Sequence, residues 1–314
     1  MGCASIAWRR TLPAVLASEH VDLVAVASRD TATAERFARR FGGAAVTGYD
    51  ELLARPDVEA VYVPLPTGLH AHWCARALRA GKHVLAEKPL TASHAEAAEL
   101  AALAAERGLC LTENRMFAHH PQHETVRQLV EEDAIGALRV MHATMAFPPL
   151  PAEDVRYRAD LGGGALLDAG YYPLQAAMLL LTEPLEVLGA DLPVDPDRGV
   201  EVRGDVLLRD ARGVTAHLVF GFDHGYRSSY ELWGSKGRLV LERAFTPPES
   251  WQPVVRVERQ NRVEELTLPA AHQFRSSLEH FAAAVRAGGG LDTHLAAAVR
   301  GAALMDAVRR TAHR

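Results

Sequence analysis

Residues 61 to 90, VYVPLPTGLHAHWCARALRAGKHVLAEKPL, decide the fold of this chain. The stretch contains a short apolar run, a proline-rich loop, a segment with helical periodicity and a second apolar run. This order predicts a strand, a helix and another strand. A unit of this kind joins two parallel strands through a right-handed crossover helix, so the stretch predicts an open parallel sheet covered by helices.

The same alternation extends over residues 21 to about 113. It begins with VDLVAVAS and TATAERFARRFG, and it ends with HAEAAELAALAAERG and LCLTEN. Gly81 and Gly108 stand where helix ends favour glycine. We therefore expect an α/β domain of the Rossmann type at residues 1–113.

After about residue 137 the pattern changes to short runs of alternating apolar and polar residues, such as GVTAHLVFGFDH and GRLVLER. Such runs without intervening helices predict a large, mostly antiparallel sheet, here in an α+β domain at residues 114–290 that binds substrate and forms oligomers. Further helices are predicted at roughly 120 to 133, 165 to 182, 272 to 287 and 293 to 312. The last helix, within residues 291–314, is expected to pack back on the first domain.

The composition is typical of a folded, soluble protein. Of 314 residues, 48% are hydrophobic and 23% are charged, and the net charge of -5 comes without a long basic run. This argues against a nucleic-acid partner, and no apolar stretch reaches the roughly 18 residues of a membrane span. Three cysteines without a CxxC spacing fit core positions in a reducing compartment. We expect a cytoplasmic protein with no membrane partner.

The segment GCASIAWRR, residues 2 to 10, stands where a dinucleotide fold has its phosphate-binding turn. In place of G-x-G-x-x-G it has Gly2, Ala4 and Ala7, a pattern that by itself also fits an ordinary turn of small residues. The predicted cofactor contacts in this segment are Gly2, Cys3, Ala4, Ser5, Ile6, Arg9 and Arg10.

Such a turn follows a buried central strand of about 5 to 6 residues, and nothing before Gly2 supplies one. The first strand of the domain is therefore expected to be missing. We expect that the chain begins about a dozen residues late, and that it folds less stably and binds its cofactor more weakly as a result.

The next strand ends in VAVASRD, where a dinucleotide fold recognises the adenosine ribose. A hydroxyl and a guanidinium at this point favour the 2'-phosphate of NADP, so Ser28 and Arg29 predict NADP. Asp30 comes one position too late for the ribose and is predicted to cap the following helix.

Two further strand ends carry cofactor-binding candidates, because ligands bind outside the carboxyl ends of parallel strands. One has Pro64, Leu65 and Pro66, and the other has Glu87 and Lys88. A lysine here, partly desolvated, can donate a proton or polarise a carbonyl that receives a hydride. The next residue, Pro89, is expected to fix the backbone through a cis peptide bond.

The segment LGGGALLDAGYYPL, residues 161 to 174, predicts a glycine turn that opens a helix. Asp168 and Tyr172 lie four residues apart and share one face of that helix. A phenol can donate a proton to a developing alkoxide, and a carboxylate can orient the phenol. Tyr171 is predicted to pack in the core.

Three histidines, His119, His120 and His123, suggest a metal site, but no carboxylate or cysteine completes a usual zinc spacing, so we expect no metal. Instead His120 and Gln122 are predicted to line the substrate pocket. Arg156 and Tyr157 are candidates for the diphosphate or base of a nucleotide substrate, with packing against the sheet as the alternative.

Residues 61 to 90 resemble the signature of the glucose-fructose oxidoreductase, inositol dehydrogenase and rhizopine-catabolism (Gfo/Idh/MocA) family. The tripeptide EKP, which ends at Pro89, is its most specific motif. The resemblance implies a Rossmann domain followed by an α+β domain, with Lys88 as the catalytic lysine. It also implies that His70 lies beside the nicotinamide, although a structural role at a helix N-terminus is the alternative.

Many family members have histidine at the position of Tyr172, and tyrosine there is typical of only some branches. The stretches CASIAWRR, HHPQH and RYRADLGGGALLDAGYYP resemble the branch of NADP-dependent sugar 3-ketoreductases. This resemblance implies an oxidoreductase of deoxysugar and antibiotic biosynthesis. It would use NADPH to reduce the C3 ketone of a dTDP-linked 3,4-diketo-2,6-dideoxyhexose.

The resemblance also implies catalytic roles. Tyr172 would donate the proton, Lys88 would stabilise the developing charge and lower the pKa of the phenol, and Asp168 would orient the pair. Either Lys88 or Tyr172 could be the immediate acid. The alternative functions are an NADP-dependent dehydrogenase of a free sugar or a trans-dihydrodiol, and a non-catalytic NADP-binding regulatory module.

The sheet of the second domain is long enough to leave one face uncovered. Burying that face against another subunit is a common solution in proteins of this class. We therefore expect a homodimer or a homotetramer.

Overall fold

The computed structural model describes residues 1–288 and 292–313. The chain forms two compact units, one of residues 1–116 with 274–302 and the other of residues 117–273 with 303–314. None of the described helices combines the length and apolar character needed to cross a bilayer.

Unit 1 contains the alternating strands and helices that the sequence predicts. The strands are β1 (Ala25–Ser28), β2 (Ala44–Thr47), β3 (Ala60–Val63), β4 (His83–Ala86) and β5 (Leu111–Glu113). The helices are α1 (Leu12–Leu16, preceded by a π-helical turn at Ala7–Thr11), α2 (Thr31–Phe41), α3 (Tyr49–Leu53), α4 (His70–Arg79) and α5 (His94–Arg107).

Local signals in the sequence set several of these helix ends. The Asp30 carboxylate accepts a hydrogen bond from the N–H of Thr33 at 2.8 Å, which confirms the predicted cap of α2. Gly108 ends α5 in the left-handed conformation with φ 62°. The short elements β2 and α3 were not predicted, because a four-residue strand and a five-residue helix carry little periodicity.

The helix α8 (Gln273–Arg286) belongs largely to unit 1, whereas the sequence analysis placed residues up to 290 in the second domain. Its Leu278, Phe281 and Ala284 pack with Leu85 and Cys110 in one buried cluster. The last helix, α9 (Asp292–Ala312), contributes residues to both units. The predicted boundary at residue 290 lies outside the described residues.

The parallel strands of unit 1 form two separate sheets, β1–β2 and β3–β4–β5. Among the described residues, no strand lies between β1 and β3. Met1 and Gly2 contact both edges: the N–H of Gly2 donates to the carbonyl of Ala27 at 2.9 Å, and the Met1 amine donates to the carbonyl of Tyr62 at 2.8 Å.

Unit 2 is built on an eight-stranded sheet in the order β13-β12-β11-β10-β6-β9-β8-β7. Its strands are β6 (Leu138–Ala146), β7 (Glu186–Asp191), β8 (Arg203–Arg209), β9 (Thr215–Gly221), β10 (Arg227–Gly234), β11 (Arg238–Glu242), β12 (Val254–Arg259) and β13 (Arg262–Thr267). Neighbouring strands are antiparallel except for the parallel pair β6 and β9. The predicted mostly antiparallel sheet is thus confirmed.

Two helices of unit 2 carry candidate site residues. They are α6 (Pro121–Glu131) and α7 (Tyr171–Leu180), and a π-helical turn at Leu166–Gly170 leads into α7. Buried residues such as Met141, Leu218 and Leu232 form the inner face of the sheet. The loop before α7 and the start of α6 hold the polar groups described below.

Candidate active site

The loop that carries Lys88 is held by three buried side chains. Glu87 Oε2 accepts a hydrogen bond from the N–H of Lys88 at 3.3 Å, and Glu113 Oε1 accepts one from the N–H of Leu90 at 2.7 Å. A ring nitrogen of His70 lies 2.9 Å from the carbonyl oxygen of Pro89. The Lys88–Pro89 peptide is cis, as predicted. The backbone direction at Lys88, which is itself half-buried, is therefore fixed from both sides.

Glu87 is the centre of a buried polar network. The hydroxyl of Tyr62 donates to Glu87 Oε1 at 2.5 Å, and the amide of Asn114 donates to the same oxygen at 2.8 Å. The Ser277 hydroxyl in turn donates to the side-chain Oδ1 of Asn114 at 2.8 Å. Burial, and then the Glu87 charge, raise the pKa of Tyr62 well above its usual value, so its proton stays in the network. A buried carboxylate needs such partners.

Sequence reasoning named Glu87 but missed Tyr62, Asn114 and Ser277. Tyr62 stands inside an apolar strand and Asn114 directly after one. Buried parallel strands are usually apolar throughout, so a polar residue at either position could have been recognised as a candidate for a buried hydrogen bond. In the structure Glu87 acts on the backbone of its own loop, and its predicted contact with the cofactor stays a prediction.

His70 connects two of the strand-end loops in unit 1. It is fully buried at the start of α4, and its other ring nitrogen lies 2.7 Å from the carbonyl oxygen of Leu65. A neutral imidazole has one N–H and can donate to only one of these two carbonyls. Burial lowers the pKa of His70. These contacts fit the structural alternative for His70, and its place beside the nicotinamide stays a prediction.

The turn at Gly2 is the first of the predicted cofactor-binding segments. Gly2 has φ 100°, and a Cβ there would lie 2.7 Å from Leu65 Cδ2, so only glycine fits. A helix begins at Ser5, and its first N–H groups have no acceptor within the helix. The positive end of a helix favours an anion. Pro64 Cγ would lie 3.8 Å from the same Cβ.

Ser28 and Arg29 end β1 at the same edge of the sheet as this turn. Ser28 is buried and its hydroxyl accepts from the N–H of Asp30 at 3.2 Å, whereas Arg29 is exposed and contacts Tyr49. Since the Asp30 carboxylate caps α2, it is not turned toward a ribose. The carboxyl end of β1 therefore carries the Ser28 hydroxyl and the Arg29 guanidinium, the two groups from which the sequence predicts NADP.

In unit 2, Asp168 is paired with a cation. The Nε of Arg156 donates to Asp168 Oδ2 at 2.5 Å, and its Nη1 lies 3.1 Å from an oxygen of Asp154. The Asp168 charge, followed by that of Asp154, raises the pKa of Arg156 above its usual value. Arg156 was predicted to bind substrate, and the structure shows its guanidinium bound to these two carboxylates.

The glycine turn before Asp168 makes this pairing possible. A Cβ at Gly163 would lie 2.6 Å from the backbone oxygen of Arg156, so the chain segment at Arg156 can pass close to the turn only because residue 163 is glycine. Tyr157 is buried, and the guanidinium of Arg198 lies 3.7 Å from its ring centroid. This placement of Tyr157 favours the packing alternative.

Tyr172 lies in a cluster of aromatic rings within unit 2. Its ring centroid is 5.9 Å from that of Phe117, 5.6 Å from that of Phe245 and 5.5 Å from that of Tyr171. Tyr172 is 6% exposed, and Tyr171 is fully buried, as predicted for a packing residue. The rings fix the plane of the Tyr172 phenol.

His120, Gln122 and His123 lie in the interior of unit 2. The ring of His120 accepts from the N–H of Gln122 and so caps α6, and the Gln122 amide donates to the carbonyl of Ala244 at 2.8 Å. His123 Nδ1 lies 2.9 Å from the hydroxyl of Tyr230. Burial lowers the pKa of His120 to about 4 and that of His123 to about 3, so both rings are neutral at pH 7.

Two polar atoms of this group have no hydrogen-bond partner among the described residues. They are His120 Nε2 and Gln122 Oε1, and both are buried. Such atoms can bind a polar ligand, which agrees with the predicted place of both residues in the substrate pocket. Within residues 1–288 and 292–313, no group of three metal-binding side chains comes together.

Comparison with known proteins matches both halves of the chain to one family. Residues 1–115 match the model of the oxidoreductase family with an NAD-binding Rossmann fold, and residues 123–240 match the GFO/IDH/MocA C-terminal domain. The chain belongs to the Gfo/Idh/MocA family.

One similar Gfo/Idh/MocA protein is the dTDP-3,4-didehydro-2,6-dideoxy-alpha-D-glucose 3-reductase of Saccharopolyspora spinosa. It is 54% identical over 93% of this chain and 88% of the relative. An enzyme of the same name from Actinomadura kijaniata is 53% identical over 98% of this chain and 93% of its own length.

Among solved structures of the family, KijD10, a 3-ketoreductase from Actinomadura kijaniata, was crystallised with NADP and TDP-benzene. It superimposes with a TM-score of 0.97 at 52% identity, over 99% of this chain and 95% of the relative. Variants of KijD10 with a lysine replaced by alanine or a tyrosine by phenylalanine were also solved with both ligands.

We expect Glu113→Ala to lower the free energy of unfolding by about 1–3 kcal/mol, because the buried N–H of Leu90 loses its acceptor. Urea denaturation measures this value. Glu99→Ala, a change of an exposed carboxylate on α5, is the matched control and should change stability little. Equal stability of both variants would show that Glu113 does not hold the loop.

We also expect stability to fall as the pH drops from 6.5 to 5. The unfolded chain binds a proton at His123 in this range, whereas the folded chain does not, because burial lowers the pKa of His123 to about 3. Each such histidine contributes at most about 1.4 kcal/mol per pH unit.

Urea denaturation at pH 7, 6 and 5 measures this slope. In His123→Asn the loss of stability between pH 6.5 and 5 should be smaller than in the unchanged chain. The control His20→Asn, at an exposed histidine, should keep the full slope. A slope that His123→Asn leaves unchanged would contradict the neutral buried ring.

Proposed function

We propose that this chain reduces the C3 ketone of a dTDP-linked 3,4-diketo-2,6-dideoxyhexose with NADPH. The observation that carries the proposal is the similarity over nearly the whole chain to KijD10, whose structure holds NADP and TDP-benzene. Two relatives above 50% identity are named as reductases of such a sugar. The similarity covers 99% of this chain and so includes both units.

We propose Lys88 and Tyr172 as the catalytic residues. The lysine and the tyrosine that were replaced in KijD10 are separated by the same number of residues as Lys88 and Tyr172. The backbone of the loop that carries Lys88 is held by hydrogen bonds, and the phenol of Tyr172 on α7 packs against the ring of Phe245. Fixed donors are what stabilisation of a developing charge requires.

The residues fit an NADPH molecule by their chemistry. The Gly2 turn, which a Cβ would obstruct, would hold the diphosphate, and Ser28 and Arg29 would hold the 2'-phosphate. NADPH, when bound, supplies the hydride that adds to C3 of the sugar. The loops at Pro64–Pro66 and Lys88–Leu90 would then border the nicotinamide end.

Addition of hydride leaves negative charge on the C3 oxygen, which must gain a proton. Tyr172 donates that proton, and the ammonium of Lys88 stabilises the charge as it develops. Asp168, whose carboxylate accepts a hydrogen bond from Arg156, lies four residues before Tyr172, about one helical turn away. In this proposal it orients the phenol. His120 and Gln122 contribute neutral polar groups to the sugar pocket.

We propose that the enzyme acts in the cytoplasm, in deoxysugar supply for antibiotic biosynthesis, as a homodimer or homotetramer. An exposed face of the unit 2 sheet supports the oligomer. Trp233 and Val263 are 54% and 53% exposed and lie in one cross-strand row, with the ion pair Arg238–Glu258 between them. Exposed apolar groups on a broad sheet favour a subunit interface.

We expect Lys88→Ala and Tyr172→Phe each to lower kcat by about 100-fold or more, which is the usual effect of losing a proton donor or charge-stabilising group. The assay follows NADPH oxidation with the dTDP-diketosugar. Lys236→Ala and Tyr226→Phe, at exposed positions, should keep normal kcat. Near-normal turnover in both Lys88→Ala and Tyr172→Phe would refute the assignment.

Free aldoses and trans-dihydrodiols with NADP test the alternative dehydrogenase activities in the same assay. NADPH binding by fluorescence tests the regulatory alternative. Tight binding without turnover of the dTDP-sugar would favour a regulatory module over an enzyme.

We expect Arg29→Ala to raise KM for NADPH by about tenfold or more and to change KM for NADH little, because only NADPH has the 2'-phosphate. Steady-state kinetics with both coenzymes measure the ratio. Arg39→Ala, an exposed change on the neighbouring helix α2, is the control. Equal effects on both coenzymes would place Arg29 outside the phosphate site.

A further inference from the structure

The residues that the sequence offers for the nucleotide of the substrate are engaged in other contacts. The guanidinium of Arg156 is bound to Asp168 and Asp154. Tyr157 is buried, and its ring packs against the guanidinium of Arg198. Arginine binds phosphate groups well, because its planar fork of N–H donors matches the phosphate oxygens. A site for the diphosphate of a nucleotide sugar therefore calls for a different arginine.

Arg243, the residue that directly follows β11, has its charged group available. In the part of the chain that the structure describes, no carboxylate forms an ion pair with it. Its Cζ lies 5.0 Å from the ring centroid of Trp251, and the N–H of Trp251 donates to the carbonyl of Pro248 at 2.9 Å. A guanidinium that stacks on an aromatic ring keeps the N–H groups at its edge available to an anion. Arg243 is half-buried and Trp251 is 37% exposed, so a ligand can reach both.

The backbone of Arg243 has a conformation that arginine rarely adopts. Its φ is 48°, in the left-handed region, where a residue with a long side chain is strained. The two residues that follow hold it there. The N–H of Ala244 donates to the carbonyl of Ser228 at 2.9 Å, and the N–H of Phe245 donates to the Ser228 hydroxyl at 3.2 Å. Glycine or asparagine would adopt this φ with less strain, which points to a function of the arginine side chain.

Arg243 lies next to residues that contact the candidate active site within unit 2. The carbonyl of Ala244 accepts from the Gln122 amide at 2.8 Å, and the ring of Phe245 lies 5.6 Å from that of Tyr172. In a nucleotide sugar the diphosphate is bonded directly to the sugar, so its binding site has to border the sugar pocket. The position of Arg243 along the chain meets this condition.

The strand register places Arg243 at the same end of the unit 2 sheet as the segment with Arg156. The parallel strands β6 and β9 end there, at Ala146 and Gly221, and β11 ends there as well, because both β6 and β11 are antiparallel to β10. The ring of Phe222, directly after β9, lies 5.9 Å from that of Tyr157, the neighbour of Arg156. The sequence thus indicates the correct end of the sheet for a nucleotide but not the available arginine.

We infer that Arg243 binds the diphosphate of the nucleotide sugar, at the phosphate that is bonded to the sugar, while the ring of Trp251 holds the guanidinium. The N–H groups of Arg243 would donate to the phosphate oxygens in a bidentate pairing. The inference rests on the proposed function, because a nucleotide-linked substrate supplies the diphosphate. The diphosphate does not change in the reaction, so Arg243 contributes to substrate affinity and leaves kcat nearly unchanged.

Steady-state kinetics of the full chain give the first test. Arg243→Asn should raise KM for the dTDP-diketosugar by about tenfold or more and change kcat and KM for NADPH by less than about twofold, because asparagine fits the left-handed φ but lacks the guanidinium. The matched control is Arg139→Asn, at an exposed arginine at the opposite end of the same sheet, which should leave all three constants unchanged. An unchanged KM for the sugar in Arg243→Asn would overturn the inference. So would a rise in KM for NADPH alone, which would assign Arg243 to the diphosphate of the coenzyme.

Direct binding separates this inference from the proposed function. Calorimetric titration of the chain, saturated with NADP, compares dTDP with dTMP, which lacks the second phosphate. Arg243→Asn should weaken binding of dTDP by about tenfold or more and binding of dTMP much less. If this pattern appeared in a chain that turns over no dTDP-sugar, the proposed function would fail and the inference would stand. Equal weakening of both ligands, or of neither, would overturn the inference even with normal turnover.

Thermal unfolding and a second variant test whether Arg243 has only a structural role. The Tm of Arg243→Asn should be at least that of the unchanged chain, because asparagine relieves strain at this φ. Arg243→Lys keeps the charge but lacks the planar fork, so it should recover part of the dTDP affinity that Arg243→Asn loses. A Tm lowered by about 5 °C or more in Arg243→Asn, with equal dTDP affinity in the two variants, would indicate a structural role and overturn the inference.

Discussion

Two buried carboxylates hold the loop on which the proposed chemistry depends. Glu87 and Glu113 each accept a backbone N–H from the segment that contains Lys88, and each is almost fully buried in unit 1. A buried carboxylate is stable only when its oxygens are hydrogen-bonded, so the loop, Tyr62 and Asn114 must keep their places together. The parallel strands bring these residues together, because the carboxyl ends of neighbouring parallel strands lie at one edge of the sheet.

The parts that the sequence could predict are those with a local signal. Asp30 precedes a helical run and caps α2, and the proline of the EKP motif has the cis peptide bond that was expected. Each of these inferences needs only neighbouring residues.

The parts that the sequence could not predict depend on distant residues. Nothing in the sequence indicates a partner for Arg156. Its pairing with Asp168 depends on the backbone of Arg156 approaching Gly163 closely, which the fold brings about. Ser277 lies 163 positions from Asn114, to which it donates a hydrogen bond. The strand β7 was missed because its residues, EVLGAD, include a glycine at a register shift and few buried side chains.

The two units supply different chemical groups to the proposed reaction. Unit 1 has the glycine turn, the Ser28–Arg29 pair and Lys88, whereas unit 2 has Tyr172, the Asp168–Arg156 pair and neutral buried histidines. Reduction of a ketone needs a hydride donor and a proton donor. In the proposed mechanism, the residues that would bind the coenzyme belong to unit 1 and the proton donor belongs to unit 2. Neutral histidines suit an uncharged sugar ring.

The most direct test of the central claim uses NADPH that carries deuterium at the transferable position of its nicotinamide. After incubation with the dTDP-linked 3,4-diketo-2,6-dideoxyhexose, NMR of the sugar product locates the label. The account predicts one deuterium at C3 of the product. Deuterium at C4, or an unlabelled sugar with NADPH unconsumed, would contradict it.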